Sequence, residues 1–191
     1  MVITDKQIVE TLKQQPEAGF RQLMTRYREP IYWHIRRLVV RHDDAQDVAQ
    51  ETFVRVFRSL HQYRADCSLR SWIYQIATNE ALRCISKRRQ EVVSMESEAA
   101  NVGRMTADSY VDYTDQVAVK FQKAIQQLPT KQQLTFNLRY YDELDYDEIA
   151  RITNSTSASA KVNYHVAKDK IVKYMNCLLY TSPSPRDYAA S

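Results

Sequence analysis

The sequence predicts an all-α protein made of two small helical domains joined by an acidic, flexible linker. Three observations carry this expectation. The 191 residues include only two glycines and five prolines, so little in the chain interrupts a helix. Apolar residues recur every three or four positions over long stretches, which is the period of a helix with one buried face. Between residues 91 and 116, Glu91, Glu96, Glu98, Asp108, Asp112 and Asp115 stand against a single Arg104, a composition that solvates better than it packs. This linker separates a first domain at 1–90 from a second at 117–176. Residues 177–191, "CLLYTSPSPRDYAAS", follow the helical pattern without continuing it. They resemble translated adapter text, so they are excluded from functional reasoning as a non-native tail.

The first domain begins with Thr4 and Gln7, spaced as a capping box ahead of Ile8, Val9 and Leu12. Pro16 restarts the chain into a helix whose stripe is Phe20, Leu23, Met24, Tyr27, Ile31, Ile35 and Leu38, with a bend expected at Pro30. Asp43 or Asp44 is the expected cap of the next helix, which turns Ala45, Val48, Ala49, Thr52, Val56 and Leu60 inward. On another face of that helix Asp47, Gln50, Glu51 and Val54 lie three or four apart. Spacing alone makes them a solvated stripe. The helical pattern then breaks at Tyr63, Arg64, Ala65, Asp66, Cys67 and Ser68. It resumes in "SWIYQIATNEALRCISKRRQ", which starts as a buried face and ends in Lys87, Arg88 and Arg89.

That last helix joins aromatics (Tyr63, Trp72 and Tyr74) to a cationic run. Unstacked bases need flat surfaces and the backbone needs cations, so the pairing points to single-stranded nucleic acid. Taken one at a time, the same residues read as partial core and as a complement to the helix dipole.

In the second domain Thr130 is the expected cap of a helix burying Leu134, Phe136 and Leu138, and "YYDEL" is a turn. Asp145 and Glu148 are spaced as a capping box, Asn154 suits a left-handed turn, and Thr156 or Ser157 caps the last helix. Two helices around a tight turn form a helix-turn-helix, whose second helix enters the major groove in DNA-binding versions. Ala160, Tyr164, Ala167 and Ile171 face inward on it, leaving Lys161, Asn163, His165 and Lys168 outside. Many helical hairpins bind no DNA, so this motif alone leaves its role open.

Several classes are excluded. No apolar run approaches a membrane span, and the N-terminus lacks the pattern of a signal peptide, so no membrane insertion and a cytoplasmic location are expected. Cys67, Cys84 and Cys177 have no partner at metal-ligand spacing and read as reduced thiols. There is no catalytic grouping, glycine-rich phosphate loop or metal cluster, so neither an enzyme nor a cofactor is expected.

"DDAQDVAQETFVRVFRSLHQYRADCSLRSWIYQIATNEALRCISKRRQ" resembles conserved region 2 of a bacterial RNA polymerase sigma factor. "AIQQLPTKQQLTFNLRYYDELDYDEIARITNSTSASAKVNYHVAKDKI" resembles region 4. Their order and spacing are similar to the small extracytoplasmic-function (ECF) group. The resemblance implies a region 2 helix bundle and a region 4 helix-turn-helix that bind core RNA polymerase, recognise the minus-ten and minus-thirty-five promoter elements and direct melting. It implies that Asp47, Gln50, Glu51 and Val54 dock on the polymerase. Tyr63 to Ser68 would capture a base of the melted non-template strand, with Trp72, Asn79, Arg83, Lys87, Arg88 and Arg89 holding the minus-ten element. Ser157, Ser159, Lys161, Asn163, Tyr164, His165 and Lys168 would read the minus-thirty-five duplex. An anti-sigma factor is a further implied partner.

The sequence departs from the family at Asn154, where glycine is common, and at Thr153, Ser155 and Ala160, where larger aliphatics are frequent. A less stable region 4 is the expectation. Arg83 stands where an acidic residue is frequent, so promoter sequence does not transfer. Two other classes compete with this reading: a duplex-binding regulator that dimerises through its first domain, and a helical adaptor without promoter activity.

Overall fold

The computed structural model describes residues 3–39, 41–64, 66–95 and 116–179. These form eight α-helices and one 3-10 turn, with no strand among the described residues. The helices are α1 (Asp5–Gln14), α2 (Pro16–Val39), α3 (His42–Ser59), α4 (Leu69–Met95), α5 (Gln116–Gln126), α6 (Thr130–Tyr140), α7 (Tyr146–Ile152) and α8 (Ser157–Leu179). The 3-10 turn spans Leu60–Gln62.

The local chemistry explains most boundaries. Thr4 and Gln7 close a full capping box at α1. The α1–α2 hairpin is tight because Gly19 faces Leu12, where a Cβ would fall 2.5 Å from the backbone nitrogen; only glycine fits without a shift. Tyr27 donates to Asp5 Oδ2 at 2.8 Å across the same hairpin, and Arg26 pairs with that carboxylate at 2.8 Å. Pro30 lies inside α2, which runs through it.

Several expected boundaries move. Helix α3 begins at His42 with Arg41 in the cap position and no side-chain cap, so Asp43 and Asp44 sit in its first turn. There they complement the positive end of the helix instead of capping it. Pro129, not Thr130, precedes α6; its fixed φ and missing N–H suit the edge of a helix. Helix α4 continues to Met95, so the basic run lies within the helix and not at its end. Helix α8 reaches Leu179, three residues into the expected tail. The central linker 96–115 and the tail from 180 lie outside the described residues.

The two blocks are packed together. One buried cluster holds Leu23, Ile31, Ile35, Val56, Ile73 and Ala77 of the first block together with Leu134, Leu138, Leu144 and Ile149 of the second. A smaller cluster of Ala124, Ile125, Leu128, Phe136, Ala167 and Ile171 ties α5, α6 and α8 together. Nothing in the hydrophobic periods of the separate blocks predicted the shared core.

The second block accommodates the residues at which the sequence departs from the resembled pattern. Asn154 adopts φ 49°, the left-handed conformation that asparagine tolerates better than most residues. Thr153 donates to the Ile149 carbonyl at 2.8 Å and its hydroxyl also meets Ser155 at 2.8 Å. Thr156 accepts from the Ser159 N–H at 3.1 Å and caps α8. Ala160 is fully buried, where a small side chain lets α8 sit close to the core.

Candidate functional site

Three surfaces collect the residues singled out by sequence. On α3, Asp47, Gln50 and Glu51 are exposed and Val54 is half-buried. Gln50 and Val54 border an open groove of about 1250 Å³ between α2 and α3. Its apolar wall includes Phe20, Met24, Phe53 and Phe57. Phe20 and Phe57 meet edge-to-face at 5.0 Å, and Phe57 remains 48% exposed. Sequence reasoning missed Phe57, although it continues the stripe of Gln50 and Val54 by one helical turn. An acidic edge beside an aromatic groove suits a helical protein partner with basic and apolar residues.

The second surface runs along α4. Its inner face, Leu69, Ile73, Tyr74, Ala77, Thr78 and Ala81, is buried. Tyr74 is 2% exposed and packs against the His34 ring at 5.1 Å, so it is core and cannot stack a base. Asn79, Arg83 and Lys87 are exposed, four residues apart, and Trp72 lies two turns before Asn79 on the same side. From Trp72 to Lys87 the stripe spans about 22 Å of helix.

Glu80, 4% exposed, pairs with Arg55 at 2.8 Å and with Arg83 at 3.2 Å. Arg88 pairs with Asp44 at 2.5 Å. The Glu80 pair fixes Arg83 on the stripe without covering it, whereas Arg88 is turned toward α3. Arg89 lies on the helix with its side chain outside the described set.

The loop Tyr63–Ser68 stands at the head of this stripe. Tyr63 packs on Trp72, ring centres 5.2 Å apart and tilted by 46°, and its hydroxyl donates to the Cys67 carbonyl at 2.8 Å. Ser68 caps α4 by accepting from the Ser71 N–H at 3.0 Å. Arg64, Asp66 and Ser68 are exposed and Cys67 is half-buried; Ala65 lies outside the described residues. Burial raises the Cys67 thiol's pKa, Arg151 opposing and Asp66 and Glu148 adding to the rise. Cys67 and Cys84 form no disulfide, and no group of side chains able to hold a metal occurs among the described residues.

The third surface is α8. Ser159, Lys161, His165 and Lys168 are exposed, while Ser157 and Asn163 are half-buried. Tyr164 is also half-buried and stacks on Phe136 at 5.8 Å and 15°, so it supports the helix more than it presents to a groove. Val162, 61% exposed, lies beside Lys161 and escaped the sequence reading.

A connection between the blocks was also missed. Asp142, in the turn between α6 and α7, meets His34 Nδ1 at 2.7 Å and Arg37 at 2.7 Å. Arg70 donates to its main-chain carbonyl. His34 Nε2 in turn contacts Thr78 Oγ1 at 2.9 Å. Burial alone would raise the Asp142 carboxyl, but the charge and hydrogen bond of His34, then those of Arg37, outweigh it and hold the group below the usual carboxylate range.

With this geometry in place, the comparisons define the class. Residues 23–91 match Sigma-70 region 2 and residues 118–171 match Sigma-70, region 4. The chain belongs to the sigma-70 family of RNA polymerase sigma factors, non-enzymatic proteins that direct promoter recognition and transcription initiation. Its curated relatives narrow this to the ECF group. The chain is 26% identical to the ECF RNA polymerase sigma factor SigW of Bacillus subtilis, covering 91% of this chain and 97% of that one. It is 27% identical to the RNA polymerase sigma-H factor of Pseudomonas aeruginosa, covering 92% and 95% respectively.

Two solved structures share the fold. One is the sigma factor RpoE in complex with the anti-sigma factor NepR from Bartonella quintana, with a TM-score of 0.67 and 20% identity over 82% of this chain and 96% of that one. The other is CnrH in complex with the cytosolic domain of CnrY, with a TM-score of 0.69 and 16% identity over 91% and 97%. No helix of the described residues is long and apolar enough to cross a membrane.

Proposed function

We propose that the three surfaces divide the work of initiation. Asp47, Gln50, Glu51 and Val54, joined by Phe57, dock on core RNA polymerase. The loop Tyr63–Ser68 captures a base of the melted non-template strand, and Trp72, Asn79, Arg83, Lys87, Arg88 and Arg89 hold the minus-ten strand beyond it. Helix α8 reads the minus-thirty-five duplex through Ser157, Ser159, Lys161, Asn163, His165 and Lys168, with Tyr164 bracing it. The observation that carries this reading is the α4 stripe: an aromatic pair at its head, then the polar Asn79, the ion-paired Arg83 and Lys87 along one helical face.

Such a surface favours melting without covalent chemistry. A base stacked on an aromatic is stabilised by roughly 1–3 kcal/mol, comparable with the few kcal/mol that extruding it costs. One or two captured bases therefore tip a locally opened site. An anti-sigma factor is the regulatory partner on this reading, and the cytoplasm, where polymerase and promoter meet, is its place of action. The domains at 1–90 and 117–176 act on separate promoter elements across the 91–116 linker, with 177–191 dispensable.

The test is transcription reconstituted with core polymerase and promoter DNA, comparing the wild type with Asp47→Arg/Glu51→Arg. Both residues are exposed, so the fold persists. Polymerase affinity and transcription are expected to fall together; unchanged affinity would remove this face from the docking surface.

A further inference from the structure

A buried carboxylate lies beside the α4 stripe, directly after Asn79. Glu80 is 4% exposed, and its two oxygens take different partners. Oε1 pairs with Arg55 of α3 at 2.8 Å. Oε2 accepts from Nη1 of Arg83, one turn further along α4, at 3.2 Å. The guanidiniums are not buried with it: the Arg55 and Arg83 side chains are 41% and 60% exposed. Ion pairs to cations so well hydrated add little to stability, while desolvating the carboxylate costs. The arrangement is thus a weak tie between helices, but it gives Arg83 a fixed direction.

We propose that Glu80 is a positioning residue for the strand: held against α3, it aims Arg83 at a backbone phosphate between the aromatic pair at the head of the stripe and Lys87. The inference rests on the assignment of the α4 stripe to the melted strand. It gives a role in strand binding to an acidic side chain that does not itself touch nucleic acid.

An arginine in solvent samples many rotamers and loses that freedom when it grips a phosphate. Glu80 imposes part of the loss during folding, so less is lost on binding. Arginine suits the double task because its guanidinium carries five N–H donors in a fixed fork, and Glu80 engages it through Nη1. Charge alone acts in the opposite direction. A carboxylate near a phosphate repels it, although two guanidiniums against one carboxylate leave this group cationic. Removing the Glu80 charge therefore tightens strand binding if Glu80 acts only as a charge, and weakens it if Glu80 acts through Arg83.

The experiment compares wild type, Glu80→Gln, Arg55→Gln, Arg83→Ala and Glu80→Gln/Arg83→Ala, each purified as the full chain in complex with core polymerase. Core polymerase alone is the blank. Fluorescence anisotropy of a labelled single-stranded oligonucleotide of mixed sequence is followed at several salt concentrations. Glu80→Gln is expected to weaken binding about threefold to tenfold and to reduce the size of the salt slope by about 0.7, as Arg83→Ala does. The double variant should match Arg83→Ala alone, and Arg55→Gln should stay within about twofold of wild type. Glutamine keeps the side chain's size and releases two hydrated guanidiniums, so the helices should persist. If circular dichroism of the free chain shows a loss, Glu80→Asp makes the same comparison, since it keeps the charge and shortens the reach by one methylene.

Unchanged or tighter binding by Glu80→Gln would overturn the proposal, as would a loss that adds to that of Arg83→Ala. An equal loss in Arg55→Gln would reduce Glu80 to a tie between α3 and α4. The underlying assignment fails separately: Arg83→Ala leaving both affinity and salt slope unaltered removes Arg83 from the strand surface, whatever Glu80→Gln does.

Discussion

Helices α4 and α8 are both long, 27 and 23 residues, and each carries cations on an outer face, yet they present them differently. On α4 the cations are anchored: Arg83 to Glu80 and Arg88 to Asp44. An aromatic pair stands at the head of the stripe. On α8 the first turn is small and polar, with Ala158 and Ser159 exposed, and longer side chains follow at Lys161, His165 and Lys168. A single strand has no fixed shape, so the protein supplies one through stacking surfaces and positioned charges. A duplex brings its own groove, so the helix needs a narrow start and side chains that reach.

The largest expected effect breaks the scaffold beneath one helix and spares the other. Ile73 is fully buried under the α4 stripe and Val162 is 61% exposed on α8. Ile73→Ala should cost about 2–5 kcal/mol of stability, whereas Val162→Ala should change it by less than about 0.5 kcal/mol. Denaturant titration measures both. Similar losses at the two positions would show that α8 is buried against something in solution.

A smaller effect concerns how each recognition element is set in place. Helix α4 is fixed by its own buried face; α8, besides packing on α5 and α6, is aimed by α7, which has only seven residues and is started by the Asp145–Glu148 capping box. The Glu148 N–H donates to Asp145 Oδ1 at 2.8 Å. Asp145→Ala should destabilise the chain by about 1 kcal/mol, and duplex binding should weaken more than single-strand binding. Thermal unfolding and parallel titrations check this; equal losses of both would mean that α7 does not position α8 separately.

How much of this was legible in the sequence follows from how local each cause is. The boxes at Thr4–Gln7 and Asp145–Glu148 and the left-handed Asn154 depend on residues a few positions apart, and they form as the spacing implied. In the sequence Tyr74 stays open between a base-stacking aromatic and partial core, because its neighbours on the helix do not decide which way it faces. The His34 ring from α2 puts it inside. The buried contact between the blocks was illegible: His34 and Asp142 lie 108 residues apart, and neither a period nor a cap links them. His34 falls beside the apolar stripe of α2, and Asp142 falls in a segment that read only as a turn. The turn's own signal, the positive φ of Glu143 at 52°, exists in the backbone and not in the composition.

The smallest effect separates the two cationic faces most directly. Each phosphate contact made by a lysine releases condensed counterions, so the slope of log affinity against log salt falls in size by about 0.7 per lost contact for a single strand and about 0.9 for B-DNA. Lys87 and Lys161 are both exposed, so replacing either with alanine should leave the fold intact. If α4 serves the strand and α8 the duplex, Lys87→Ala lowers the slope for single-stranded DNA and leaves the duplex slope where it was. Lys161→Ala does the reverse. The measurement is a set of titrations of full-length protein with each DNA form at several salt concentrations. A change in both slopes from either substitution would mean that the two helices share one continuous binding surface, and the division of labour between anchored and reaching cations would have to be abandoned.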